Sequence, residues 1–359
     1  MKKDILILIP LTALLCFSCK KREIHTETLN MDSIKEIHIN TSPTSYCSTT
    51  LYPKNCFFIK DSFLVVFEPK NQNNFIHVYN NDTKKIIARF GQIGKGGYDF
   101  INPRLITNNI PAKSNEFIIG DTRRICKINI DSLLLNKNYK GEDYADIPDE
   151  LRLYNYILYC SDSLIIANQT GKNQLTFWDR NKEKAVHKNI LLRNEELKVT
   201  DLCLTMGIYD AYYTSNGERI AIAYKNWKQI DIVSLSGDIV KRVYFPDYLF
   251  NQDKVDLYKD KQNIEFSKDA HLFFTYVAST SKYLYALCWN NTKENIKKGK
   301  AFSQIYQLDW DGNLVNIYSF DRAISSFCVF KDNITYAIGV SERNLDLNIY
   351  NCNYINTKN

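Results

Sequence analysis

A three-strand unit recurs six times along the chain and limits the folds available to it. Each copy reads as a polar turn, an apolar strand, a polar gap, an alternating strand, a second turn and a third strand. The spacing of the copies is roughly 40–60 residues, the range expected for the blades of a propeller. The four clearest copies span residues 61–90, 162–192, 216–245 and 281–320, and weaker copies start at Asn115 and Asp332.

This repetition predicts an all-β fold, a six-bladed β-propeller built of four-stranded antiparallel blades. A single small sheet cannot bury both of its faces, whereas a ring of sheets stacks them face to face and protects their edges. The 24 Tyr and 19 Phe suit such pleated surfaces. The strand-like stretch Ile34–Asn40 precedes the first full copy, and we expect it to join the last blade and close the ring. A β-sandwich pair or another irregular β protein is the alternative.

The amino terminus has the pattern of an export signal. A basic start is followed by a short apolar run, and this run ends in Leu14-Leu15-Cys16-Phe17-Ser18-Cys19, which is typical of a bacterial lipobox. We therefore predict a lipoprotein signal peptide over 1–18, lipidation of Cys19, a lipidated tether over 19–32 and the propeller over 33–359. An uncleaved anchor and an ordinary signal cut elsewhere are the alternatives.

The cysteines give little sign of redox or metal chemistry. Without Cys16 and Cys19, eight of the ten remain, and no C-x-x-C spacing occurs among them. Several lie in apolar strand-like runs, where a cysteine acts as a small buried hydrophobe. Cys47 and Cys56 are a close pair outside such runs. In an exported protein they are candidates for a disulfide.

A glycine-rich segment at the end of the first full copy carries a family resemblance. Residues 90–100 read FGQIGKGGYDF, which resembles the G-x-x-G-x-G-P-x-E-F signature of the TolB-like six-bladed propeller lipoproteins of Bacteroidota. Gly97 stands where that signature has Pro, Tyr98 where Gly is common, and Asp99 where Glu is usual. The resemblance implies an envelope lipoprotein with a propeller fold. It brings no catalytic residues and no ligand.

The same segment raises the question of an anion site. Backbone N–H groups of Gly94, Gly96 and Gly97 are candidates for binding an anion, with Lys95 adding charge. A dinucleotide fingerprint requires a helix after the glycines, whereas Tyr-Asp-Phe-Ile-Asn-Pro follows here. The pattern therefore favours a tight connection between blades over an anion loop.

Patterns for catalysis, metal binding and nucleic-acid binding are missing from the sequence. The five His have no paired spacing typical of metal ligands, and no G-x-S-x-G, H-E-x-x-H or calcium-loop motif occurs. We accordingly predict no catalytic residue, no metal ligand and no cofactor. The net charge of +6 is dispersed, so nucleic acid is not an expected partner.

These observations predict a non-catalytic binding or interaction module of the bacterial cell envelope. Its expected partners are the membrane, through the lipid, and a protein, small molecule or glycan at the mouth of the propeller channel. A hydrolase or lyase with a divalent metal in the channel, and a glycan-binding component of an uptake system, are the alternatives. Because a basic run at residues 20–22 follows Cys19, we expect an outer-membrane position facing the periplasm.

Overall fold

The computed structural model describes most of the chain after residue 23. The described residues are 24–48, 52–106, 113–122, 124–148, 151, 156–168, 175–188, 210–246, 255–257, 264–266, 271–292, 294–295, 298, 302–340 and 348–355. All structural statements below concern these residues. The predicted signal peptide and Cys19 lie outside them.

Strands dominate the described chain, and they group into blades in chain order. Two strands come first, β1 (His25–Thr28) and β2 (Lys35–Pro43), followed by a 3₁₀ turn at Ser45–Ser48. Blade 1 contains β3 (Asn55–Ile59), β4 (Phe63–Phe67), β5 (Ile76–Asn80) and β6 (Ile86–Phe90). Blade 2 contains β7 (Arg104–Leu105), β8 (Glu116–Gly120), β9 (Arg124–Asn129) and β10 (Glu142–Asp146), with the short helix α1 (Ile130–Leu135) after β9. Blade 3 contains β11 (Tyr156–Ser161), β12 (Leu164–Asn168), β13 (Leu175–Asp179) and β14 (Lys184–Lys188).

The second half of the chain continues the same architecture. Blade 4 contains β15 (Ala211–Ser215), β16 (Arg219–Tyr224), β17 (Gln229–Ser234) and β18 (Ile239–Tyr244), and β1 pairs in parallel with β18 at the outer edge. A small separate pair, β19 (Val255–Leu257) and β20 (Ile264–Phe266), follows. Blade 5 contains β21 (His271–Ser279), β22 (Tyr283–Thr292), β23 (Gln304–Asp309) and β24 (Leu314–Phe320). Blade 6 contains β25 (Ile324–Phe330), β26 (Asn333–Gly339) and β27 (Ile349–Tyr354), and β2 is its fourth strand.

The strand β2 closes the ring, as the sequence predicted. Its second half, from Ile39 to Pro43, pairs antiparallel with β27 in blade 6. Its first half, from Lys35 to Ile39, pairs in parallel with β24 in blade 5. Blades 5 and 6 are therefore joined into one eight-stranded sheet, and a strand from the amino-terminal side completes the last blade.

Apolar packing between neighbouring blades holds the ring together. Six large clusters of buried hydrophobic residues occur, and each lies between one pair of adjacent blades, including blades 6 and 1. Trp227 is buried between blades 3 and 4 and Trp310 between blades 4 and 5. Because every blade buries both faces against its neighbours, the predicted six-bladed ring is confirmed.

Polar turns separate the strands as the repeat indicated. Asn80 accepts hydrogen bonds from the backbone N–H groups of Asp82 and Thr83, and Asn216 does the same for Glu218 and Arg219. These side chains stabilise the turns locally. Each of the six sequence copies covers the second, third and fourth strands of a blade. The first strand of each blade, which precedes the copy in sequence, is the innermost strand and lines the channel.

Candidate binding site at the channel mouth

A large cavity opens at the centre of the ring. Its volume is about 900 Å³. The wall includes residues at or near the beginning of all six innermost strands: Asn55, Arg104, Tyr156, Tyr212, Leu272 and Ser325. The wall also includes Pro69 and Lys70 after β4, Lys225 after β16 and Trp289 within β22. The cavity is therefore the mouth of the propeller channel, and its size falls in the range of small-molecule sites.

Basic side chains line this mouth without acidic ones. Lys54, Lys70, Arg104 and Lys225 contribute to the wall, and no Asp or Glu is among the described lining residues. Lys225 Nζ lies 3.4 Å from a carboxylate oxygen of Asp210, and Lys70 Nζ lies 5.7 Å from the ring centroid of Tyr52. The charged side chains among the described lining residues are therefore all basic.

Lys54 is held rigidly at the start of the first innermost strand. Its backbone N–H donates to the carbonyl of Phe67 at 2.9 Å, and its carbonyl accepts from the Ser326 hydroxyl at 2.7 Å. Its side chain is exposed and lines the cavity. Partial desolvation, followed by the charge of Arg104, lowers the pKa of Lys54 below its ordinary value.

Aromatic side chains form much of the remaining wall. They are Tyr52, Phe67, Tyr156, Tyr212, Tyr276 and Trp289. Burial raises the pKa of Tyr212 and of Tyr276, so both phenols stay protonated at neutral pH and can donate hydrogen bonds. Trp289 Nε1 donates to the carbonyl of Ile324 at 2.7 Å, which fixes its ring. The wall therefore offers flat apolar surfaces and neutral donors beside the cations.

One polar atom of the wall lacks a hydrogen-bond partner within the described structure. Thr275 Oγ1 is inaccessible to bulk solvent and no described donor or acceptor pairs with it. Buried hydroxyl groups are normally satisfied by protein, water or ligand, and an unsatisfied one lowers stability. Thr275 lines the cavity, but its hydroxyl oxygen is buried behind the wall.

The glycine-rich loop is closed by its own side chain. The N–H of Gly96 donates to Asp99 Oδ2 at 2.9 Å, and the N–H of Gly94 donates to the carbonyl of Phe100 at 3.0 Å. A Cβ atom at Gly94 or Gly96 would meet the Asp99 carboxylate at 2.4 or 2.7 Å. The carboxylate therefore occupies the position that a bound anion would take. This geometry fits a tight connection between blades.

Further contacts fix this loop onto blade 2. Asp121 accepts from the backbone N–H groups of Ile101 and Asn102, at 2.9 and 3.1 Å. Arg124 donates to the carbonyl of Tyr98 at 2.8 Å, and its guanidinium lies 4.8 Å from the Phe100 ring centroid. Lys95 and Gly97 are exposed. The loop positions the neighbouring residues Asn102 and Pro103 at the cavity wall.

The predicted disulfide cannot be assigned from the described side chains. Cys56 is a buried free thiol in β3, between blades 1 and 6, and the side chain of Cys47 lies outside the described set. The side chain of Cys328 in β25 hydrogen-bonds with Cys56, and burial raises the pKa of the Cys328 thiol. A Cys47–Cys56 disulfide stays a prediction.

A buried acid and histidine lie directly behind the mouth. Glu68 Oε2 lies 3.2 Å from His77 Nε2, and the Asn74 carbonyl lies 2.9 Å from the same nitrogen. Glu68 Oε1 accepts from the backbone N–H of Tyr52 at 3.1 Å, which ties the pair to the cavity wall. The pair supports the loop that carries Pro69 and Lys70.

A second cavity, of about 750 Å³, lies between blades 2 and 3. Its wall mixes charges of both signs and includes Asp146, Asp162, Arg180 and Glu183 beside Trp178. Within the described part of the chain, no group of three or more His, Cys, Asp or Glu side chains has the arrangement of a metal site. No described helix is long and apolar enough to cross a membrane.

The sequence analysis identified the blades, but it did not identify the residues that line the channel mouth. Its lining residues come from chain positions between 52 and 325, so only ring closure brings them together. One local signal was present. Pro53-Lys54 and Pro103-Arg104 place the same proline–cation pair at the start of the innermost strand in two successive blades.

The fold and the mouth define a six-bladed β-propeller with a basic, aromatic channel opening. Residues 36–332 match the model of the TolB-like six-blade propeller-like family, and the chain belongs to that family. The family resemblance predicted from residues 90–100 is thereby confirmed.

Solved structures are similar to this chain at low sequence identity, and the first of those below, with a TM-score above 0.5, shows the same fold. A DUF4221-family protein from Bacteroides vulgatus has a TM-score of 0.57 and 13% identity, covering 89% of this chain and 97% of that chain. An exported protein from Bacteroides fragilis has a TM-score of 0.46 and 11% identity, covering 92% and 99%. The calcium-binding regucalcin from Agrobacterium tumefaciens has a TM-score of 0.46 and 8% identity, covering 88% and 94%. No curated protein sequence matches this chain.

Proposed function

We propose that this protein is a lipid-anchored binding module of the bacterial cell envelope that takes its ligand at the channel mouth without catalysing a reaction. The observation that carries the proposal is the preformed cavity of about 900 Å³, to which all six innermost strands contribute. A site built on rigid strands needs little ordering on binding, which favours affinity. The lipobox before Cys19 and the resemblance to propeller lipoproteins support the anchor and the envelope location.

The chemistry of the wall favours binding over metal-assisted catalysis. Hydrolases and lyases that work through a divalent cation hold it mainly with oxygen ligands, among which carboxylates supply the compensating charge. The described lining residues include four cations and no carboxylate. The aromatic side chains would suit the ring of a sugar, so a role in glycan uptake is a form of the same binding function.

A cavity-blocking variant tests ligand entry. Ser325→Tyr introduces a large side chain at the wall, whereas Thr83→Tyr places the same side chain in an exposed turn of blade 1. We expect small molecules or glycans that raise the melting temperature of the wild type to stabilise Thr83→Tyr equally and Ser325→Tyr much less. Equal stabilisation of all three proteins would place the ligand elsewhere. Turnover of any ligand by the purified protein would contradict a non-catalytic role.

The anchor needs an experiment of its own. We expect the full-length protein, expressed in a bacterial host that processes lipoproteins, to partition into the detergent phase, and Cys19→Ala to remain in the aqueous phase. The acyl chains of the lipid bind the protein to the membrane, so loss of the thiol that accepts them removes the anchor. Detergent partitioning that survives Cys19→Ala would overturn lipidation at this residue. Protease treatment of intact cells then tests the periplasm-facing orientation.

A further inference from the structure

We infer that Cys56 and Cys328 form a disulfide that joins the first and the last blade of the ring. Cys56 lies in β3 and Cys328 in β25, which are the innermost strands of blades 1 and 6. Both thiols are buried, and both are reduced in the structure. The bond concerns how the ring is closed rather than what the mouth binds, so it lies beyond the proposed function.

Two contacts hold β3 and β25 side by side. At one end, the Ser326 hydroxyl donates to the carbonyl of Lys54 at 2.7 Å. Four residues further along each strand, the rings of Phe58 and Phe330 lie with their centroids 4.3 Å apart. The two strands therefore run alongside each other at side-chain distance over this whole length.

Cys56 and Cys328 are the pair midway between these two contacts. Alternate residues of a strand point to the same face, so the residue two after Lys54 and the residue two after Ser326 face each other. Both cysteines belong to one buried apolar cluster between blades 6 and 1, and the Cys328 side chain hydrogen-bonds with Cys56. A disulfide requires Cβ atoms about 3.5–4.5 Å apart, and two facing thiols in contact are suited to it.

The residues that alternate with this pair point the other way. Phe57 packs against Phe117 of blade 2, with ring centroids 5.2 Å apart. Phe327 packs against Tyr276 of blade 5, also at 5.2 Å. Each innermost strand thus directs one set of side chains to its other neighbour and directs its cysteine into the junction of blades 1 and 6.

This junction is the place where a covalent bond adds most to the ring. The strand β2 joins blades 5 and 6 into one sheet, whereas no described strand of blade 1 pairs with a strand of blade 6. Side-chain packing therefore holds the first blade against the last. A disulfide restricts the unfolded chain more when it closes a longer loop, and this one would enclose nearly all of the ring.

Formation of the bond is a two-electron oxidation by thiol–disulfide exchange. The oxidant is a disulfide, either of an envelope oxidoreductase or of a small molecule. One cysteine thiolate attacks it and releases one oxidant thiol, and the second cysteine then attacks the mixed disulfide and releases the other. The oxidant gains the two electrons and two protons that the cysteines lose. An exported chain meets such oxidants, and the predicted signal peptide provides for export.

Burial determines when the bond forms and how long it lasts. The exposed fractions of Cys56 and Cys328 are 2% and 1%, and burial raises the pKa of the Cys328 thiol. A thiol that is buried and protonated exchanges slowly. We therefore expect oxidation during folding, before blades 1 and 6 close over the pair. The finished bond is then shielded from reductants.

Peptide mapping tests the pairing. The full chain, purified in mild detergent, is unfolded and reduced, refolded with oxidised and reduced glutathione, and the folded fraction is isolated by gel filtration. Free thiols are blocked with N-ethylmaleimide, and the protein is digested with trypsin without reduction. Cys47, Cys56, Cys328 and Cys352 fall on separate peptides, 36–54, 55–60, 323–331 and 344–358. We expect peptides 55–60 and 323–331 to be linked, and dithiothreitol to separate them.

The same map shows the results that would overturn the bond. A link from 55–60 to 36–54 would assign Cys56 to Cys47, as the sequence allowed, and a link from either peptide to 344–358 would assign it to Cys352. Blocked Cys56 and Cys328 would show that both thiols stay reduced under oxidising conditions. Each of these results contradicts the proposed pair.

Matched variants test the effect on stability. Cys328→Ala and Cys126→Ala each remove a buried thiol whose Sγ lies about one contact distance from the next carbonyl, at 4.0 and 3.9 Å. We expect oxidative refolding to raise the melting temperature of the wild type and of Cys126→Ala by at least about 5 °C over their reduced forms. Cys328→Ala and Cys56→Ala should lack this gain. A gain retained in Cys328→Ala would show that another bond carries the stabilisation.

Discussion

Arg242 in blade 4 and Lys54 at the channel mouth show two treatments of positive charge. Arg242 is buried, and its Nε and an Nη atom each donate to Asp231 at 2.8 Å. Tyr224 and Gln229 donate to the same carboxylate at 2.9 and 2.7 Å. Lys54 is exposed, lines the cavity and forms no ion pair among the described residues. Blade 4 therefore buries a cation together with its counter-charge, whereas the mouth keeps Lys54 in contact with solvent.

The largest expected effect comes from breaking the closed cluster. Asp231→Asn removes the negative charge while keeping the size of the side chain. Because Arg242 then remains buried without a counter-charge, we expect the free energy of unfolding to fall by about 3–5 kcal/mol. Urea-induced unfolding followed by tryptophan fluorescence measures it.

The control for this prediction is an exposed ion pair. Asp311 lies 2.7 Å from Arg219, and its side chain is 74% exposed. Asp311→Asn is expected to change stability by less than about 1 kcal/mol. Similar losses in the two variants would mean that the Arg242 cluster contributes no more than a surface pair.

The glycine-rich loop likewise contains one closely packed position, Gly91, and one open position, Gly97. Gly91 has a φ of +86°, and a Cβ there would lie 2.2 Å from the Phe75 ring. Gly97 has no atom within 4 Å of such a Cβ. We expect Gly91→Ala to lower the free energy of unfolding by about 2–4 kcal/mol, through backbone strain and overpacking. Gly97→Ala should lie within about 0.5 kcal/mol of the wild type, and thermal unfolding of both variants measures the difference.

Asp99 tests whether the loop is closed by its own carboxylate. Asp99→Ala leaves the N–H of Gly96 without its present acceptor, and we expect a loss of about 1 kcal/mol. Lys95→Ala, an exposed change in the same loop, should leave stability within about 0.5 kcal/mol of the wild type. Phosphate binding that appears in Asp99→Ala and depends on Lys95 would show that the loop is an anion site.

The smallest expected effect concerns Lys54 and pH. Its folded pKa lies below the unfolded value of about 10.4, so the unfolded chain binds more protons between the two values. Lys54 therefore contributes increasing stability as pH rises through that window. Lys54→Met should unfold within about 0.5 kcal/mol of the wild type at neutral pH and lack that rise. A large loss of stability in Lys54→Met would show that this lysine is structural.

The sequence predicted the outer part of each blade better than the inner part. Strands such as β4 and β12 are apolar over most of their length, because both faces pack against neighbouring blades. The innermost strands are less regular, since they border the channel. In β11, YILYCS, only Leu158 is fully buried, and β7 has two residues.

The residues of the candidate site were not predicted either, because they lie on or beside these irregular innermost strands. Lys54 and Arg104 are separated by about a full blade in sequence, and nothing local indicates that both line the channel mouth. They do so because the chain enters β3 and β7, the innermost strands of two neighbouring blades, at the same end of the channel. Periodicity detects a residue that packs in a core, but it gives no signal for a cation that points into a channel.

The parallel pairing of β1 with β18 has a consequence for distance from the membrane. His25 is held against Lys241 on the outer edge of blade 4. With a lipid on Cys19, only six residue steps separate the acyl chains from that edge, and an extended chain of this length spans about 20 Å. The outer edge of blade 4 would then stay within about 20 Å of the membrane surface, and the propeller could not move further away from it. Inserting a flexible spacer between residues 19 and 25 would lengthen its reach without touching the channel mouth.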